Sequence, residues 1–166
     1  MPYWSEEMGP WVAEWFSAAD GFLLGRRTYE IFAGFWPKVT DENDPVASRL
    51  NSLPKYVAST ALDKAEWNNS TLLSENVPNA VAELKKRPGR ELQIHGSGVL
   101  AQSLMAHDLI DEYRLWIYPV DLGKGKRLFA EGAVPAALRP VDHRTTSTGV
   151  AVHVYRPAGR PAFGSF

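Results

Sequence analysis

Apolar residues recur at helical spacing at Met8, Trp11, Val12, Trp15, Phe16 and Ala19, which predicts an N-terminal helix. Ser5 is its expected N-cap, with Glu6 and Glu7 in the first turn, where the helix dipole favours negative charge, and Asp20-Gly21 is its expected stop. The continuous apolar run Phe22-Leu23-Leu24-Gly25 predicts a buried strand, and residues 28–35 a helix ended by Trp36-Pro37. A polar loop at 41–44 leads into a short helix over 45–51, opened by Pro45. Strands are expected at 56–59 and 72–74, a helix at 77–86 and a strand at 92–95. Gly96-Ser97-Gly98 then opens a helix running to about Ala106. The longest expected strand covers 113–120, and 139–146 with 150–155 form a hairpin whose Val150, Val152 and Val154 share a face.

Strands alternating with helices predict an α/β fold: a mixed, mostly parallel sheet flanked by helices, with the C-terminal hairpin adding antiparallel strands at an edge. The 166 residues suit one domain, assigned to 1–156, with the Pro- and Gly-containing residues 157–166 as a mobile tail.

Composition narrows the chemistry. Eighteen Lys and Arg against 19 Asp and Glu leave a formal charge of −1, which gives no reason to expect nucleic acid or an anionic membrane as partner. With no cysteine, a disulfide framework, a thiolate-bound metal and a cysteine nucleophile are excluded. No apolar run approaches the roughly 18 residues that span a bilayer, and the first residues lack a signal-peptide pattern. The expected location is the cytoplasm. His95, His143 and His153 match no metal-ligand spacing, so no metal site is expected. Lys124-Gly125-Lys126-Arg127 reads as a solvated turn.

Three places share a design in which a strand ends and donor groups meet a helix start. At Gly25-Arg26-Arg27-Thr28, a helix N-terminus offers free backbone N–H groups to an anion, two guanidinium forks suit phosphate, and Thr28 adds a hydroxyl. The same residues are also consistent with an ordinary cap and a solvated face. At Gly96-Ser97-Gly98, glycines permit close approach of a pyrophosphate, or simply form a tight turn. Ser59-Thr60, ending a strand, can hold a ribose 2′-phosphate or begin a polar loop. Gly96, Gly98 and Ala101 also satisfy the Rossmann G-x-G-x-x-G/A pattern, with Asp121 ending a strand further on. That fingerprint normally sits early in its domain, whereas only 70 residues follow Gly96 here and they end in a hairpin.

Leu24-Gly25-Arg26-Arg27-Thr28-Tyr29-Glu30 resembles the G-R-x-T-aromatic segment of the dihydrofolate reductase fold, and the 96–98 turn resembles its late glycine turn. With His95-Gly96-Ser97-Gly98-Val99-Leu100, Asp111-Glu112-Tyr113 and Leu122-Gly123-Lys124-Gly125 through Leu128-Phe129, the chain is similar to the reductase domain of bacterial riboflavin-biosynthesis deaminase-reductases over about 22–156. The resemblance implies a dihydrofolate reductase-like fold and an NADPH-dependent reductase. Its cofactor contacts would be Gly25, Arg26, Arg27, Thr28, Ser59, Thr60, Gly96, Ser97, Gly98, Val99 and Leu100. The implied substrate is a small molecule, a heterocycle or ribosylaminopyrimidine such as 5-amino-6-(5-phosphoribosylamino)uracil. Glu6 or Glu7 falls where the fold carries a carboxylate on its first helix, the implied catalytic group, and a homodimer is implied as well. Family members place a strand and loop before the equivalent of Met1, so the resemblance also implies a start lying upstream. The alternative reading is a non-catalytic dinucleotide-binding or dimerising protein of the same fold.

Overall fold

The computed structural model describes residues 3–164. Four parallel strands form one sheet in the order β3-β2-β1-β4: β1 (Ala19–Gly25), β2 (Lys55–Ala58), β3 (Ser70–Leu73) and β4 (Glu91–Ile94). A second, antiparallel sheet has the order β5-β7-β6, from β5 (Tyr113–Ile117), β6 (Leu138–Thr145) and β7 (Ala151–Pro157). The α/β expectation holds, with the parallel part and the C-terminal antiparallel part forming separate sheets.

β1 is buried on both sides, as a central parallel strand must be. Phe22 and Leu24 point to one face, where they meet Phe16 of α1 (Met8–Ser17), Tyr29 of α2 (Arg26–Phe35), Leu50 of α3 (Pro45–Ser52) and Trp67. Leu23 points to the other, against Val81 and Leu84 of α4 (Val77–Lys85) and Leu100 and Leu104 of α5 (Gly98–Met105). Asp44 caps α3, its carboxylate accepting the N–H groups of Val46 and Ala47 at 2.8 Å. Lys55, wholly buried, donates to the carbonyls of Leu50 and Leu53 and lies 4.4 Å from the centre of the Trp67 ring. Burial without a carboxylate partner lowers its pKa to about 8.

Several boundaries differ from the sequence expectation. Ser5 does not cap α1: Met8 N–H bonds to the Ser5 carbonyl in a preceding turn, and Glu6 and Glu7 fall before the helix. Pro10 explains this, because a residue without an N–H belongs in the first turn, which starts the helix at Met8. Ala19, Asp20 and Gly21 lie inside β1 rather than ending the helix. Gly21 is needed there, since a Cβ would come 3.1 Å from Leu92 Cδ2 and 3.3 Å from the Pro54 carbonyl. α2 begins at Arg26, with Gly25 as its extended N-cap, so Thr28 is not its cap. β5 stops at Ile117, because Pro119 has no N–H to continue the ladder, and the eight-residue β6 is the longest strand. Past Tyr155, β7 continues to Pro157, and Ala158 and Gly159 still pair with Ala137.

The two sheets meet through side chains. Arg114 of β5 makes a two-pronged pair with Glu91 of β4 at 2.7 and 2.9 Å, and also bonds Glu112 at 2.8 Å. Burial disfavours its charge, but the Glu91 and Glu112 carboxylates outweigh that and raise its pKa. Trp15 of α1 stacks edge-on against Trp116 of β5, with ring centres 5.4 Å apart, and presents its face to Arg114. Removing the guanidinium takes the shared cation from two half-buried carboxylates and leaves Glu91 to Gln93 and Glu112 to Arg156. Arg114→Met is therefore expected to lower unfolding free energy by about 1–3 kcal/mol, measured as a reduced urea midpoint with an unchanged m-value.

Candidate functional site: two helix starts held side by side

β1 and β4 are neighbours in parallel register, Leu23 opposite Ile94, so both chains leave the sheet at the same edge and both start a helix there. Gly25 N-caps α2 and Ser97 N-caps α5. Two hydrogen bonds clasp the two starts, Gly25 N–H to Ser97 Oγ at 2.9 Å and Ser97 N–H to Thr28 Oγ1 at 3.2 Å, and the Ser97 hydroxyl is oriented by donating to the His95 carbonyl at 2.9 Å. The left-handed φ angles of Gly96 (+55°) and Ser97 (+51°) make the bend. A Cβ at Gly96 would sit 3.3 Å from Thr28 Oγ1, so this close crossing requires glycine.

The clasp holds the first turns of both helices at the same edge of the sheet. Gly98, Val99 and Leu100 donate to no acceptor among the described residues, and Ala101 is the first to bond back, to Ser97. Two aligned helix dipoles with open donors form an anion cradle. A Cβ on Gly98 would meet nothing within 4 Å. Arg26 is tied to Glu30 at 3.1 Å one turn on, whereas Arg27 is exposed with no ion-pair partner among the described residues.

Gly25, Arg26, Arg27, Thr28, Gly96, Ser97, Gly98, Val99 and Leu100 are thus brought together, although the Thr28 and Ser97 hydroxyls are engaged within the clasp. Ser59 lies just past β2, beside β1; its Oγ accepts from Ala61 and Leu62 N–H at 3.1 Å, and Thr60 next to it is exposed. Glu7 is held elsewhere: its Oε2 accepts Ser147 N–H at 3.0 Å in the turn between β6 and β7. Glu6 is exposed. No cluster of three metal-binding side chains occurs among the described residues. An open cavity of about 1000 Å3 lies between α2, α3 and the 64–68 segment, bordered by Tyr29, Glu30, Asn51 and Trp67, and none of the glycine-turn residues lines it.

What the sequence reading missed is a polar file along β4. Glu91, Gln93 and His95 alternate onto the face covered by α1. The signal was present as Glu-x-Gln-x-His on a strand, a polar repeat where an apolar one is usual. His95 stacks on Phe16 with ring centres 4.6 Å apart. Burial, and then the nearby positive charge of Arg114, push its pKa down to about 4.

The RibD C-terminal domain profile matches residues 2–152. The chain belongs to the RibD C-terminal domain family. It is 33% identical over 138 residues to the uncharacterized protein YyaP of Bacillus subtilis (strain 168), covering 82% of this chain and 73% of that protein. To YwjB, also uncharacterized and from the same organism, it is 28% identical over 144 residues, 87% of this chain and 78% of that one. Two solved structures share the fold. One is a protein provisionally assigned to riboflavin biosynthesis from Shewanella sp. PV-4 (TM-score 0.68, 23% identity, 86% of this chain and 76% of that one). The other is a pyrimidine reductase-like protein from Corynebacterium diphtheriae (TM-score 0.62, 14% identity, 95% and 83%).

His95 gives the fold a testable pH dependence. Its native pKa lies below the ordinary 6.5, so between pH 6.5 and 4 the unfolded chain takes up a proton that the native state refuses. Stability is therefore full above pH 6.5 and falls toward pH 4, by up to about 3 kcal/mol. In urea titrations across this range, His95→Phe is expected to flatten the decline.

Proposed function

We propose that this RibD-family chain is an NADPH-dependent oxidoreductase that reduces a small heterocyclic or ribosylaminopyrimidine substrate of the 5-amino-6-(5-phosphoribosylamino)uracil kind. The observation that carries the reading is the clasped pair of helix starts. The residues present fit a dinucleotide: open N–H donors from two helices suit a pyrophosphate, a glycine turn leaves room above them, and Arg27 with the Ser59-Thr60 strand end suits a 2′-phosphate.

When bound, the nicotinamide supplies the hydride. The chain's own part is to bind and orient. The 98–100 amides and the α2 N-terminus anchor the phosphates, and the clasp fixes the angle between the two helices. Glu6 or Glu7 is the proposed proton source on the substrate side, Glu7 being anchored through Ser147. We assign the protein to the cytoplasm as a homodimer, with the exposed apolar side chains of Ile117, Tyr118, Val120 and Leu122 as the contact. Velocity sedimentation showing a monomer at high micromolar concentration would contradict the dimer.

A non-catalytic dinucleotide-binding protein of the same fold is the second reading. It is favoured by Glu7, whose carboxylate is held by the Ser147 N–H in the β6–β7 turn and not by a residue of the glycine turns. Calorimetry separates the cases. NADPH is expected to bind at least about tenfold tighter than NADH, and Arg27→Ala to remove most of that difference. NADPH binding without turnover of any aminopyrimidine favours the second reading; a folded protein that binds neither nucleotide contradicts both.

A further inference from the structure

The cavity between α2, α3 and the 64–68 segment lies apart from the glycine turns, and the proposed reaction makes no use of it. At about 1000 Å3 it has the size of a small-molecule site. Its walls are tied to one another. Asn51 of α3 donates from Nδ2 to the Trp36 and Val39 carbonyls and accepts the Trp67 indole N–H through Oδ1. One side chain thus holds the 36–39 turn and the 64–68 segment to α3, and the Asp44 cap holds the start of that helix.

The inner wall and the rim differ in chemistry. On the inner wall, Tyr29 is only 5% exposed. Its hydroxyl oxygen accepts the Trp67 backbone N–H at 2.9 Å, while its own O–H has no acceptor among the described residues. A buried donor left without an acceptor is costly, so this wall calls for an electron-rich atom. The Lys55 ammonium already covers the Trp67 ring, 4.4 Å from its centre, and opposes a second cation at that depth.

The rim is the reverse. It carries the exposed carboxylates Glu30, Asp41, Glu42 and Glu66 against one ammonium, Lys64. Glu30 is paired with Arg26, and Glu66 only loosely with Lys64, at 4.0 Å. Asp41 is engaged through Oδ1 alone, by Asn43, and Glu42 has no side-chain partner among the described residues. Ala33, Pro37 and Val39 supply apolar surface to the same cavity.

We propose that this cavity binds a hydroxylated polyamine of the amino-sugar or aminocyclitol class. A ligand hydroxyl oxygen accepts the Tyr29 O–H, and the ligand's ammonium groups meet Asp41, Glu42 and Glu66 at the rim. The pairing of a donor inside with carboxylates outside selects against a neutral sugar, which lacks the cations, and against a plain polyamine, which lacks the acceptor. The site is independent of the nucleotide cradle and of the reductase reading.

The test is calorimetry on the full 166-residue chain with three probes: neamine, a hydroxylated polyamine; spermine, a polyamine without hydroxyls; and trehalose, hydroxylated but neutral. Neamine is expected to bind at least about tenfold more tightly than spermine, the difference of about one hydrogen bond, and trehalose not to bind. Tyr29→Phe, which removes only the hydroxyl, is expected to weaken neamine about tenfold and leave spermine unchanged. Glu42→Gln, at an exposed position, is expected to weaken both polyamines about threefold. In amide nitrogen–proton spectra of the wild-type chain, neamine is expected to move the resonances of residues 29–30, 40–42 and 66–68. Spermine binding as tightly as neamine, trehalose binding as tightly as neamine, no neamine binding, or resonance shifts confined to other residues overturns the proposal. The wild-type titrations and spectra decide the matter even if Tyr29→Phe does not fold.

Discussion

The parallel pairing of β1 with β4 is the constraint on which the rest of the molecule turns. It puts Gly25 next to the bend at Gly96 and Ser97 and brings two helix N-termini to one edge of the sheet. Two like-oriented dipole ends side by side repel, and the first-turn donors have no partner within their own helices. The Thr28–Ser97–Gly25 clasp holds them together against that repulsion. The unmet positive potential is the reason we propose an anion at this edge.

A second constraint runs below the first. β4 and β5 are edges of different sheets, and the charged and polar file Arg114–Glu91–Gln93–His95 spans the junction under α1. Each member leaves the next only one orientation. A file of this kind costs desolvation, offset here by the hydrogen bonds that link each member to the next. It reaches the glycine turn, so the junction between the sheets and the candidate site share one network.

Much of this was legible in the sequence. The run at 22–25 read as a buried strand because both its faces are apolar, and the 96–98 motif read as a helix start because glycine permits the bend. Helix and strand limits were less legible where one residue overrode the periodicity: Pro10 set the start of α1, Pro119 ended β5, and Gly21 allowed a strand where Asp20-Gly21 suggested a stop. The roles of hydroxyls were not legible, because Thr28 and Ser97 are partners of each other across 69 positions and a linear pattern cannot show that. The same holds for Glu7, which meets Ser147 from the far end of the chain. Trp67, in a segment with no periodic signal, proved to be core, its backbone N–H held by Tyr29 and its indole by Asn51.

The most direct test of the central claim is residue-resolved amide hydrogen exchange with and without NADPH. If the paired helix starts are the anion site, the amides of residues 26–28 and 98–100 gain protection on NADPH addition, and the acidic cavity bordered by Glu30 and Trp67 does not change. Protection confined to that cavity, or none at the two helix starts while NADPH is bound, would contradict the account.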